Sequence, residues 1–391
     1  MRLTLLGCVV LLILGGAAAR AEESPGFRHG VNIVAWPWAA ADKNGPIEAR
    51  IDRAKAAGFD FVRIGVEITP RLKQGDDANL TRTVQAVVAR TQADSMSLLL
   101  TLFARDPGGY RTGRLICGTE GEPQRYVEAF RQVVAELPDR ASVAIEPLNE
   151  PPGGCSAQRN GVAMGPEWPR MQLQLYQLLR KDKPHVTYIV NAGYWSDLDG
   201  LLSFDPSPYL ADPNALMIFH YYEPKLFTQQ GMVFTPEQRA ARHIPWPVED
   251  PGRLEQSRSD SLHALEEDSG DFDRRKVRSK FEADFDRYAS EGRIDHLRAR
   301  FQAAENWARR YGLDPRRIVV TEFGVARASH STDGPPPPDG ARYLSSVRAA
   351  AEGHGFGWAI WDLDTGFAIL CGAAPDEKVC PEYASVVPAG H

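Results

Sequence analysis

Two hydrophobic periods alternate along the chain. Apolar runs rich in β-branched and aromatic residues recur eight times, at residues 30–35, 61–66, 97–103, 142–148, 187–191, 215–220, 318–323 and 357–361. Their length suits strands rather than helices. Between them lie stretches with apolar residues at helical spacing on one face, such as residues 47–57, 125–136, 171–180 and 297–311. Strand and helix signals in alternation predict parallel pairing. Most strand runs are continuously apolar, which predicts strands covered on both faces. The pattern therefore predicts an α/β fold, a closed (β/α)8 TIM barrel in a single domain.

No glycine-rich linker, composition break or fixed-period repeat divides the chain. Residues 229–290 exceed what a strand-to-helix connection needs and are dense in Arg, Asp and Glu. They predict a partly helical insertion after the sixth strand, on the face where barrel active sites lie; a solvated surface excursion and a substrate-contacting lid are both open. Residues 333–338, Asp-Gly followed by four prolines, read as a rigid polar connection.

Composition narrows the setting. Residues 1–21 have the form of an export signal: Arg2, an apolar run from Leu3 to Leu14, small residues, then Ala19-Arg20-Ala21. The run is short for a membrane span, so no membrane anchor is expected, and the domain would occupy residues 22–391. Four of the five cysteines lie beyond the signal. An even number suits a secreted or periplasmic protein, and nearness in sequence and in the barrel pairs Cys117 with Cys155 and Cys371 with Cys380. The formal net charge of −6 argues against nucleic acid or an anionic membrane as partner and fits a neutral, hydroxyl-rich substrate.

Polar residues collect at the C-terminal ends of the apolar runs, which in a barrel is the active-site face. Asn149-Glu150-Pro151 closes the fourth, His220-Tyr221-Tyr222 the sixth, Thr321-Glu322-Phe323-Gly324 the seventh and Trp361-Asp362 the eighth, while Arg63 lies within the second. Strands four and seven face each other across the barrel. Their two carboxyl groups could meet about 5 Å apart, the spacing that hydrolysis of a glycosidic bond with retention requires. An ionised nucleophile in a dry site needs a fixed cation, and Arg63 is placed to supply it. Each motif alone also fits a solvated strand end or helix cap, Arg63 an ordinary buried ion pair, His220 a satisfied core histidine, and Glu146 a structural carboxylate below the site. Their joint placement is what favours catalysis.

These motifs together, with Phe61-Val62-Arg63, Glu146-Pro147-Leu148-Asn149-Glu150-Pro151 and Trp358-Ala359-Ile360-Trp361-Asp362, resemble glycoside hydrolase family 5, the cellulase family, across essentially the whole chain beyond the signal. The resemblance implies Glu150 as acid/base and Glu322 as nucleophile. It further implies that Asn149 binds the substrate 2-hydroxyl, Tyr222 orients Glu322, His220 lies beside the acid/base and Trp361 floors the sugar subsite before the cleaved bond. One departure stands out: the family's histidine near the end of strand three is absent from Thr101-Leu102-Phe103-Ala104-Arg105.

Trp36, Trp38 and Trp195 fall at or just past strand ends, where aromatic faces either stack on sugar rings or pack the rim; Tyr194 and Trp246 are weaker candidates of that kind. No metal-ligand spacing and no phosphate cradle is present, so no metal or cofactor is expected. The expected function is a secreted retaining endo-β-glycosidase acting on a polysaccharide or oligosaccharide, β-1,4-glucan first. Alternatives are β-mannanase, β-1,3- or mixed-linkage glucanase, exo-β-glucosidase, or a barrel that binds carbohydrate without turnover. A serine hydrolase lacks its G-x-S-x-G elbow.

Overall fold

The computed structural model describes residues 26–35, 45–73, 77–104, 112–119, 121–152, 154–155, 165–327, 334–374 and 376–388. The predicted signal (residues 1–21), Trp36 and Trp38 lie outside the described residues.

Eight parallel strands close into a barrel in chain order: β1 (His29–Ala35), β2 (Phe61–Glu67), β3 (Ser97–Phe103), β4 (Val143–Glu146), β5 (Thr187–Asn191), β6 (Ala215–His220), β7 (Ile318–Phe323) and β8 (Gly357–Ile360), with β8 pairing back onto β1. The apolar runs at 142–148 and 357–361 continue past the last paired residue of β4 and β8, because their tips leave the ladder to carry the loops of the mouth. Around the barrel lie α1 (Ile47–Ala56), α2 (Ala78–Ala93), α3 (Glu122–Glu136), α4 (Glu167–Asp182), α5 (Leu198–Ser203), α6 (Pro251–Glu267), α7 (Arg274–Glu291), α8 (Ile294–Arg310) and α9 (Pro337–Gly353). Helices α6 and α7, with shorter turns before them, form the insertion expected after the sixth strand. Of the connection expected at residues 333–338, residues 334–336 precede α9 outside any helix. Pro337 and Pro338 form the start of α9, since a fixed φ and a missing N–H cost nothing in a helix's first turn.

Packing follows the two-residue period of the strands. Phe61, Leu99, Ala144, Ile189, Ile218, Val319 and Ala359 fill the barrel interior together with Phe27 and Leu216. One step of two residues further along the same strands, the inward layer turns polar: Arg63, Thr101, Glu146, Asn191 and His220 are all buried. The floor of the site is thus the top of the core.

Two disulfides tie the periphery: Cys117 to Cys155 and Cys371 to Cys380. The first clamps the loop after β4, which carries Pro151, to the turn ending at Cys117. No helix among the described residues is long and apolar enough to cross a membrane.

Candidate active site

Glu322 reaches the inward layer through a break in strand register. Val319 points inward, so an unbroken β7 would send Thr321 to the site. A bulge sets Phe219 opposite Val320 but His220 opposite Glu322, and this re-aims the carboxyl into the barrel mouth. Arg63 Nη1 donates to Glu322 Oε1 across 2.5 Å, and Tyr222 Oη donates to Oε2 across 2.9 Å. Both carboxylate oxygens are therefore held, and the side chain is 5% exposed.

Arg63 is itself fully satisfied on the interior layer. Nε and Nη2 donate to Glu146 Oε2 at 2.9 and 2.7 Å, Nη1 to Asn32 Oδ1 at 2.8 Å, and Nη2 to Asn149 Oδ1 at 2.8 Å. Glu146, placed by the sequence below the site, is the second carboxylate on this guanidinium. Asn32 binds further: its Nδ2 donates to the carbonyls of Thr321 and Ile360, tying β1 to the nucleophile strand β7 and to its neighbour β8. Asn32 escaped sequence reasoning, although it is the one polar residue inside the first apolar run and is the register partner of Arg63. Asn191 was missed likewise; its Nδ2 donates to the carbonyl of Leu148 at 2.8 Å and steadies the strand end leading to Glu150.

Glu150 sits two residues on from Leu148, with φ at +46°. A non-glycine residue in the left-handed region is strained, and such strain collects where a side chain must be aimed. Here it turns the carboxyl toward His220, whose Nδ1 lies 3.1 Å from Glu150 Oε1 and 3.5 Å from Glu322 Oε2. One carboxylate oxygen of Glu150, one ring nitrogen of His220 and one carboxylate oxygen of Glu322 all lie within 4.8 Å of one another. Glu150 is the exposed member, at 37% against 3% for His220.

The three groups share charge. Burial would lower the His220 imidazole, but the carboxylates of Glu322 and Glu150 outweigh it and hold its pKa above the usual value. Burial pushes Glu150 up, yet the hydrogen bond from His220 prevails and holds it below the usual carboxyl range. Burial lifts Glu322 above that range against the pull of His220 and Arg63. Burial and the neighbouring Glu322 push the Tyr222 phenol well up, so it stays a neutral donor. The three groups therefore titrate as one coupled unit, with His220 between the two carboxylates.

A cleft of about 800 Å³ opens from Glu150, His220 and Tyr222. The insertion forms its outer wall through Phe234, Glu237, Lys280, Asp284 and Arg287, and Trp195 lines it from the β5 side. Of the two readings open for the insertion, it is a wall of the cleft. Trp361 stands apart, against Val34 and Phe103. Trp246 is no rim residue: it is 1% exposed and packs on Phe227 and Tyr343, because this part of the insertion turns inward onto α9. Tyr194 is half-buried beside Trp195 and is not among the residues lining the cleft.

Facing carboxyl groups at the C-terminal mouth of a (β/α)8 barrel, one fixed by an arginine and a tyrosine, are the arrangement of the barrel glycoside hydrolases. The chain belongs to glycosyl hydrolase family 5, whose profile, described as cellulase, matches residues 20–366. Endoglucanase 3 of Fibrobacter succinogenes is 21% identical over 302 residues, which are 75% of this chain; the chain spans only 40% of that curated relative. Among solved structures, the fold is similar to the cellulose synthase subunit Z of Clostridioides difficile (TM-score 0.65, 19% identity, 93% of this chain and 100% of that one). It is similar also to a hyperthermophilic endo-β-1,4-glucanase in complex with substrate (TM-score 0.65, 18% identity, 93% and 97%). Thermotoga maritima Cel5A in complex with mannotriose superposes with a TM-score of 0.66 at 15% identity, over 93% of this chain and 98% of that one.

Proposed function

We propose that this chain is an exported, retaining endo-β-glycosidase in which Glu322 attacks the anomeric carbon and Glu150 protonates the leaving oxygen. The observation that carries the reading is the closeness of the two carboxyls, with oxygens within 4.8 Å, under unequal restraint. Inversion would need room for a water between carboxyls spaced roughly 6.5–9.5 Å apart; retention needs about 5 Å.

Glu322, held at both oxygens, is fixed for attack. When substrate fills the cleft and expels water, ionised Glu150 loses its solvation, and the proton on His220 Nδ1 passes to Glu150 Oε1. Glu150 then gives that proton to the departing glycosidic oxygen as the bond from Glu322 to the anomeric carbon forms. Attack consumes the negative charge on Glu322, and Glu150, ionised again, takes a proton from the water that hydrolyses the glycosyl-enzyme. Asn149, oriented by Arg63, faces the sugar's 2-hydroxyl in this reading, and Trp361 floors the subsite before the cleaved bond.

β-1,4-Glucan is the first substrate, supported by the endoglucanase names among the relatives. A β-mannan is the second reading, favoured by the mannotriose bound to a structural neighbour. Export is supported by the two disulfides, which persist in oxidising compartments.

The test is hydrolysis of a panel of β-1,4-glucan, β-mannan, mixed-linkage glucan and xyloglucan with product sizing, followed by NMR of the first anomer formed. The β-anomer and internal cleavage are expected; an initial α-anomer rules out retention. Glu322→Ala should be rescued by azide to the α-glycosyl azide, and the same product from Glu150→Ala instead would reverse the roles.

A further inference from the structure

The large apolar side chains left exposed among the described residues are three: Trp195 at 37%, Val233 at 69% and Phe234 at 65%. Trp195 and Phe234 line the cleft that opens from Glu150, and Val233 adjoins Phe234 in the chain. Exposed aromatics that line the cleft of a polar site offer a contact surface to whatever fills it.

Both aromatics are held out by backbone, not left loose. Tyr194, Trp195 and Ser196 run consecutively through the left-handed region, with φ of 52°, 56° and 57°. A run of three non-glycine residues there is costly and persists only where its surroundings enforce it. The amide of Trp195 donates to the carbonyl of Pro151 across 3.0 Å, which ties its position to the residue following Glu150. On the insertion, Gly231 at φ +78° starts a turn closed by its N–H to the Gln238 carbonyl at 2.7 Å. Thr235 caps the next helical turn, so residues 232–234 form a short tip on a fixed base. Lys280 ties that turn to α7 through Glu237 at 2.8 Å.

The side of the cleft is defined too. Trp361 clusters with Val34 and Phe103, from the tips of β1, β3 and β8. Trp195 and Phe234 come from the loops after β5 and β6, and the cleft they line includes Glu150 but neither Glu322 nor Trp361. The proton donor faces the leaving group, so this is the leaving-group side. The cations lining the outer wall face carboxylates: Lys280 contacts Glu237 and Asp284, and Arg287 contacts Asp284, which suits uncharged sugar units.

We infer that Phe234, at the tip of the insertion, and Trp195 form an aromatic clamp for the sugar units on the leaving-group side of the cleaved bond, selecting polymeric over short substrates. The inference rests on the glycosidase reading and deepens it. Flat aromatic faces bind the apolar faces of pyranose rings, and binding energy from units remote from the bond is expressed in catalysis only when those units are present.

The clamp is tested by comparing Phe234→Ala and Trp195→Ala with wild type on two substrates. Cellohexaose fills the leaving-group side, whereas β-cellobiosyl fluoride departs as an ion too small to reach the clamp. The expected loss of kcat/KM on cellohexaose is at least tenfold greater than on the fluoride, with Phe234→Tyr retaining most of it and the Phe234→Ala cleavage pattern moving toward a chain end. Equal losses on both substrates, or none on either, would overturn the clamp. Should wild type turn over neither compound, the β-glucan reading has failed. Calorimetry of cellohexaose and mannohexaose with Glu322→Ala then decides the clamp separately: a Kd at least fivefold weaker with Phe234→Ala for either sugar supports it, and an unchanged Kd or no binding overturns it.

Discussion

Tyr222 gives its hydroxyl hydrogen to Glu322 Oε2 across 2.9 Å, on the oxygen that Arg63 does not hold. The bond favours the ionised carboxylate, so removing it raises the pKa of Glu322. Tyr222→Phe should lower kcat by roughly 10- to 100-fold, the worth of one hydrogen bond to a charged group. It should also move the acidic limb of the kcat/KM profile to higher pH. A purely structural tyrosine would change the rate and leave the limb where it was.

Arg63 is fully buried, with two carboxylates on one guanidinium. Its removal leaves Glu146 and Glu322 facing each other without a cation, a situation that costs about 3–5 kcal/mol. Arg63→Met should lose that much in denaturant unfolding. Adding Glu146→Gln, which removes one of the stranded charges, should restore part of the stability and none of the activity. Full recovery of turnover in the double variant would show that the arginine serves only to neutralise Glu146.

How far this site could be read from sequence depends on the element. The strands were legible because they are covered on both faces and leave continuous apolar runs; the polar residue at each tip marked the mouth. Glu150, Glu322, Arg63, His220 and Tyr222 do meet there. Asn32 was not legible, since a single polar residue inside an apolar run has no local signature and gains meaning only from its register partner Arg63 across the ladder. The bulge that turns Glu322 rather than Thr321 inward depends equally on pairing between strands. Trp246 misled because composition cannot tell a rim aromatic from one that an insertion folds inward. Phe234 was overlooked because an exposed phenylalanine in a charged segment matches no period.

His220 Nδ1 lies between Glu150 and Glu322, and the resting proton is shared by the three. The form with His220 protonated and the form with Glu150 protonated have the same net charge, so the basic limb of kcat/KM reports loss of a proton that belongs to the group as a whole. The raised imidazole pKa places that limb above the usual histidine value. In His220→Asn the proton must be held by carboxyl groups alone, so the limb should fall to lower pH while the fold, judged by its unfolding midpoint, survives. A limb at the same pH in both proteins would mean that Glu150 holds the proton without help.

Asp362 follows Trp361 at the barrel mouth, 1% exposed, and burial pushes its carboxyl up to about 6 despite hydrogen bonds from the Thr365 amide, at 2.8 Å, and the Thr365 hydroxyl. The unfolded chain releases this proton near pH 4 and the folded chain near 6, so between those values the native state binds more protons than the unfolded state. Stability from this group is therefore complete below about pH 4 and falls as pH rises through about 6, by about 3 kcal/mol in all. Asp362→Asn cannot titrate. Its amide oxygen can accept one of the two Thr365 donors, which leaves a constant offset but no slope. Unfolding free energies measured at intervals from pH 4 to pH 7 should show wild type losing stability relative to the variant across that window. Parallel curves would mean that Asp362 is ionised in the native protein throughout.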